Sequence, residues 1–139
     1  MSVRSAVAVL AAAAALAAPA AASASHSVGS AEQVAWVRRA ATNFVTAELA
    51  RNSSSACAIL NAPMRTTLHH RSCEQRWNAR LSKLVSEPGA RARLRGELHA
   101  IAHASVIVHG NQATIGLPAP LISGPNRFLW TENCWMLEG

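Results

Sequence analysis

An α+β domain, with helices first and an antiparallel sheet last, is what this sequence predicts, on three observations. Ser30-Ala31-Glu32-Gln33 and Ser72-Cys73-Glu74-Gln75 are both capping boxes, each opening a stretch of 3.6-residue apolar period. From residue 90 the period shortens to two. Two candidate hairpins then follow, and their registers put apolar residues on a common face. The expected architecture is about three helices packed on a curved antiparallel sheet of about four strands, over residues 30–139.

The first helix starts at the Ser30 cap and runs to about Arg51. On a 100° wheel Val34, Val37, Ala41, Phe44 and Val45 form one stripe, with Arg39, Asn43 and Thr46 opposite. Asn52 offers the next N-cap, for a short helix carrying Cys57, Ile59 and Leu60, which Pro63 ends. Residues 64–70 fit either a strand or a loop. The helix after Ser72 places Cys73, Trp77, Leu81 and Leu84 on one face, with Arg76, Arg80 and Lys83 along the flank. Glu87-Pro88-Gly89 terminates it. The even positions from Ala90 to Val108 are all small or apolar, while Arg91, Arg93, Arg95, Glu97, His99, His103 and His109 are odd. This alternation predicts a long strand over 90–109 with one buried face, bent at Gly96. Gly110-Asn111 fits a type II′ turn. Pairing His109 with Gln112 then sets Val108 against Ala113, Val106 against Ile115 and Ala104 against Leu117. Residues 118–126 are a connection. A second hairpin pairs Thr131 with Cys134, Trp130 with Trp135 and Phe128 with Leu137 around Glu132-Asn133.

Upstream of this domain the sequence reads as an export signal. Arg4 is followed by an unbroken apolar run over 6–18, Pro19 breaks it, and Ala22-Ser23-Ala24 supplies a small-x-small cleavage pattern. The expectation is a signal peptide over 1–24, a flexible polar lead-in over 25–29, and a mature chain secreted or held in the cell envelope. That run of 13 residues falls short of the ~20 a bilayer-spanning helix needs, and no later stretch qualifies. The mature chain would carry 12 Lys and Arg against 7 Glu, a charge of +5, with no Asp and no Tyr. Export makes a disulfide among its 3 cysteines feasible, although spacing leaves all three pairings open.

The element order resembles the nuclear transport factor 2-like superfamily, in which helices pack into a curved antiparallel sheet to make a cone. It is most similar to the small secreted members found in actinobacteria. The residues that carry the likeness are Ala56-Cys57 on the second helix, Ser72-Cys73-Glu74 opening the third, Val106-x-Val108-x-Gly110-Asn111-x-Ala113 at the hairpin, and Trp135 on the closing strand. Cys134 departs from the pattern, where a turn Gly or polar residue is expected. The resemblance implies a Cys57–Cys73 disulfide, stabilising by ~3 kcal/mol in the chain-entropy model. It also implies a cone mouth, which here would be lined by Phe44, Glu48, Trp77, Val106 and Ile115.

Several constellations bear on chemistry. Superfamily enzymes use Asp, Tyr or His–Asp groups as base and oxyanion donor, and a chain lacking Asp and Tyr cannot supply those sets in that form. Four strand residues separate His99 from His103 by ~13 Å, too far to share one ion, so no metal and no cofactor are expected. Cys134 fits a small strand residue beside Trp135 better than a nucleophile. Arg76, Arg80 and Lys83, with Arg91, Arg93 and Arg95, offer an anion-binding surface or simply a solvated face. Few exposed aromatic platforms accompany them, which argues against nucleic acid. Glu48 lies inside the apolar stripe: it either lines a pocket with a raised pKa, or sits in a frayed last turn beside Arg51. Trp36 falls outside the stripe, as an exposed contact or a cover over the segment before the helix. The function expected is an exported non-catalytic domain binding a small apolar ligand or a protein partner. The alternative is an envelope interaction or structural module acting through its sheet surface or as a homodimer.

Overall fold

The computed structural model describes residues 27–60, 72–121, 126–131 and 133–138. The expected signal peptide over 1–24 and the ambiguous segment 64–70 lie outside them. Four helices and four strands are described, in the order α1 (Ala31–Leu49), α2 (Ser53–Ile59), α3 (Cys73–Ser86), α4 (Ala90–His103), β1 (Val106–His109), β2 (Gln112–Ile115), β3 (Arg127–Thr131) and β4 (Cys134–Glu138). The strands make one open antiparallel sheet in sequential order. The fold is α+β.

Both capping boxes form. The Ser30 and Ser72 hydroxyls accept from the backbone of Gln33 and Gln75, whose side chains accept in return from the cap N–H groups. The Asn52 side chain caps α2 through Ser55. The α1 stripe is buried as the wheel requires, with Val37, Ala41, Phe44 and Val45 fully enclosed. That face rests on β1, β2 and β4, while α2 and α4 pack along the sides of α1. Trp77 of α3 reaches the same core and meets Phe44 with ring centres 5.6 Å apart.

Both hairpin registers hold. Val108 faces Ala113 and Val106 faces Ile115, and Gly110 takes φ +59 at the first turn position, as a type II′ turn needs. The ladder ends at Val106–Ile115, so the expected Ala104–Leu117 pair, two positions further on, does not form. In the second hairpin Thr131, Trp130 and Phe128 face Cys134, Trp135 and Leu137. Asn133 takes φ +60, which Asn tolerates better than most residues. The described part of the expected lead-in, residues 27–29, lies along β1. Val28 exchanges backbone bonds with Val106 and Val108, both 2.8 Å, and the Val106 N–H donates to Ser27 Oγ. Gly29 is needed there: at φ +126, a Cβ would come within 3.0 Å of the Val108 side chain.

One element differs from expectation. Residues 90–103 are helix, not the first part of a long strand. Much of the alternation comes from Ala92, Gly96, Ala100 and Ala102, which have little or no side chain to bury. The residues buried on α4 are Ala90, Leu94 and Ile101, at spacings of four and seven, one helical stripe. Ala, Arg, Leu and Glu dominate this stretch and are strong helix formers, and no β-branched residue precedes Ile101. Arg38 Nη2 donates to the Ala104 carbonyl at 2.8 Å, fixing the point where α4 gives way to the strand.

Cys57 of α2 and Cys73 of α3 are joined in a disulfide with Cα atoms 6.1 Å apart, and Cys134 is free. The bond ties α2 to α3 across residues 61–71. Replacing both half-cystines by alanine should lower the unfolding free energy by ~3 kcal/mol, read as a shifted urea midpoint relative to the oxidised parent.

Candidate functional site

Position 36 on α1 belongs to a second helical stripe, Trp36, Arg39, Ala40 and Asn43, at the i, i+3, i+4, i+7 spacing that keeps residues on one face. Because the neighbouring stripe is seated on the sheet, this one overhangs the end of the second hairpin. There Trp36 stacks on Trp130 of β3, with ring centres 5.4 Å apart and planes 9° from parallel. Trp130 in turn meets its cross-strand partner Trp135 edge-on at 5.5 Å. A cleft of about 300 Å³ opens beside this group, walled by the α1 stripe, Ile59 of α2 and the Asn133–Cys134 turn. A smaller hollow of about 140 Å³, bounded by Gln33 and Gly110, is lined by the same three tryptophans. The Trp36–Trp130 pair therefore borders two spaces, and Trp135 lines both.

Two features of this cleft matter chemically. Trp36 remains 40% exposed although it is large and aromatic. Trp135 is 5% exposed, yet its buried indole N–H has no hydrogen-bond partner among the described residues. An unmatched buried donor costs about 1–3 kcal/mol, and the indole N–H of the core Trp77 is unmatched in the same way. Arg39 and Asn43 on the same wall add exposed polar groups. The half-buried Cys134 thiol donates to the Thr131 carbonyl at 3.4 Å, a contact that supplies no base.

The five residues expected to line a cone mouth are placed differently. Phe44, Trp77, Val106 and Ile115 belong to the packed core. They come together, as expected, but against one another; the tryptophan cleft is lined by other side chains. Glu48 does not fray. The Asn52 N–H donates to the Ala47 carbonyl at 2.8 Å and the Arg51 N–H to Glu48 O at 3.1 Å, closing the helix with Arg51 at φ +56. This closure leaves Glu48 2% exposed at the junction of α1, α3 and α4. Burial pushes its pKa up from 4.5 to about 7; the Arg80 guanidinium, 4.0 Å away, offsets part of that, Glu97 adds to the rise, and Arg93 opposes it. Glu97 is itself raised by burial against the pull of Arg93 and Arg80. The group can hold and release a proton near neutrality, but Glu48 is sealed from the tryptophan cleft.

Arg80 of α3 and Arg93 of α4, one from each basic group, both lie near Glu48 and Glu97. Arg80 lies over the Trp77 ring at 5.0 Å and Arg93 pairs with Glu87 at 3.5 Å. His99 and His103, expected ~13 Å apart on a strand, have ring centres 4.9 Å apart on α4. The distance that would keep them from sharing an ion disappears with the strand. The cleft is not legible in sequence: Trp36 stands out as lying off the core stripe, but its partner Trp130 is 94 residues away. The readable signal is the second stripe headed by a tryptophan.

No family model matches this chain, and no curated protein or solved structure matches it either. Among the described residues, no helix is long and apolar enough to cross a membrane.

Glu48 makes stability fall as pH rises. A carboxyl whose folded pKa is raised holds its proton more tightly in the folded state, so its contribution is complete below 4.5 and lost as pH climbs through about 7. The loss is about 3 kcal/mol. Urea unfolding at pH 4.5 and pH 8 should show it, and Glu48→Gln should flatten the difference by raising stability at pH 8. An unchanged pH slope in that variant would contradict the assignment.

Proposed function

We propose that this chain is an exported, non-catalytic domain of the nuclear transport factor 2-like type. Its role is to bind a small, flat, mostly apolar ligand in the tryptophan cleft. The observation that carries the reading is the orphaned indole N–H of Trp135 beside an exposed, stacked tryptophan. A planar ligand gains contact area against the Trp36–Trp130 pair, and an acceptor on it satisfies the buried donor once the Trp135 ring turns toward the cleft. Arg39 favours a ligand whose acceptor is anionic, such as an aromatic carboxylate.

Export is supported by the n-region, apolar run and cleavage pattern of residues 1–24 and by a disulfide, which persists outside the cytosol. The superfamily reading rests on the motifs at Val106–Ala113 and Trp135 and on helix α1 packed against the sheet; α4 stands where a long strand was expected. Non-catalytic binding is supported by the missing Asp and Tyr and by the enclosure of Glu48 away from the cleft. The second reading, an interaction module or homodimer, has its own support. Val28 and Ile107 are paired at the sheet edge and are 49% and 38% exposed.

Titration of 2-naphthoate into ¹⁵N-labelled protein, followed at the indole N–H resonances, tests the proposal. Trp36, Trp130 and Trp135 should shift and the core Trp77 should not. Trp36→Ala and Trp135→Phe should each weaken binding by ~10-fold, the scale of one stacking or hydrogen-bond contact. Unmoved indole signals, with a dimer in native mass spectrometry of protein from its own culture medium, would favour the interaction module.

A further inference from the structure

We propose that His99 and His103 form a two-point anchor for a divalent transition-metal ion on the last turns of α4, independent of the tryptophan cleft. Three observations carry the inference. The two residues are one helical turn apart, at i and i+4, so their side chains leave the same face. Both are exposed, so an ion can reach them without opening the core. Their ring centres are 4.9 Å apart and the planes are inclined at 58°.

That separation fits shared coordination. An imidazole nitrogen binds zinc at ~2.0–2.1 Å, which puts the ring centre ~3.2 Å from the ion; two such rings meeting at ~90–109° have centres ~4.5–5.2 Å apart. The rings therefore need only small χ adjustments to point one nitrogen each at a common position. Helix geometry holds the second donor close to the first, so its binding is effectively intramolecular.

The surroundings define which ions qualify. Among the described residues no set of three His, Cys, Asp or Glu side chains converges, so water completes the coordination sphere. Arg95 lies one turn before His99, and Arg38 holds the carbonyl of Ala104 just beyond His103. The neighbourhood is thus positive, and an ion must be held by coordinate bonds rather than by the local field. That selects borderline ions that favour imidazole, such as Zn²⁺, Ni²⁺ and Cu²⁺, over the oxygen-seeking Mg²⁺ and Ca²⁺.

Zn²⁺ alone, titrated calorimetrically into the purified chain, is the probe. One equivalent should bind, unaffected by excess Mg²⁺, and both His99 and His103 Hε1 resonances should shift together. His99→Ala and His103→Ala should each weaken binding by ~10-fold or more, since either leaves a single imidazole. The double variant His69→Ala/His70→Ala, and His26→Ala, His109→Ala and Cys134→Ser, control for the other imidazoles and the free thiol and should retain the affinity. Both histidines are exposed, so unchanged thermal melting will show that the variants fold. The proposal is overturned by absence of saturable binding, or by His99→Ala and His103→Ala binding zinc as tightly as the parent.

Discussion

The seating of α1 on the sheet is the constraint from which the rest of this molecule follows. Phe44, with Val37, Ala41 and Val45 around it, is fully enclosed where α1 crosses β1, β2 and β4. Burying an aromatic and three aliphatic side chains is worth several kcal/mol, and it fixes the rotation of the helix about its own axis. Once that rotation is set, two consequences are unavoidable. The adjacent stripe of Trp36, Arg39 and Asn43 overhangs the second hairpin, and Glu48, four residues after Phe44, is carried under α3 and α4.

How much of this is readable in the sequence depends on what each residue has to bury. The α1 stripe and both hairpins are legible because Val, Phe and Trp at those positions have one acceptable side, and a slip of one residue would expose all of them. The capping boxes are legible because the requirement is local. Residues 90–103 mislead because Ala and Gly satisfy almost any period. Counting them as apolar produces a two-residue repeat, although the residues that need shelter, Leu94 and Ile101, are seven apart. Weighting by side-chain size returns a helix. The tryptophan cleft needs the tertiary fold, since its walls come from α1, α2 and the β3–β4 hairpin.

Replacing the expected strand by α4 leaves the sheet intact, because the strand that matters for pairing is only four residues long. It changes the chemistry more than the architecture. On a strand, residues 99 and 103 would be held apart by the rise of the extended chain; on a helix the same separation in sequence becomes adjacency. Glu97, half-buried, likewise comes to face the end of α1 and enters the electrostatic surroundings of Glu48. The absence of Asp and Tyr, which weighs against superfamily-type catalysis, is a matter of residue types and is the same however residues 90–109 are coiled.

Glu48 and Trp135 pose the same physical problem and the fold answers it in two ways. Each is a polar group taken out of water with too little to compensate. For Glu48 the remedy is internal. The carboxyl keeps its proton to about neutral pH, and Arg80 relieves part of the remaining cost. An indole N–H has no such option: it cannot shed its proton at any accessible pH and must find an acceptor. Glu48 sits where nothing can reach it, so its burial bears on stability. Trp135 lines an open cleft, but its unmet donor lies beneath that surface, so an acceptor reaches it only when the ring shifts. The cost at Glu48 therefore varies with pH, while the cost at Trp135 stays fixed for as long as the ring keeps its place.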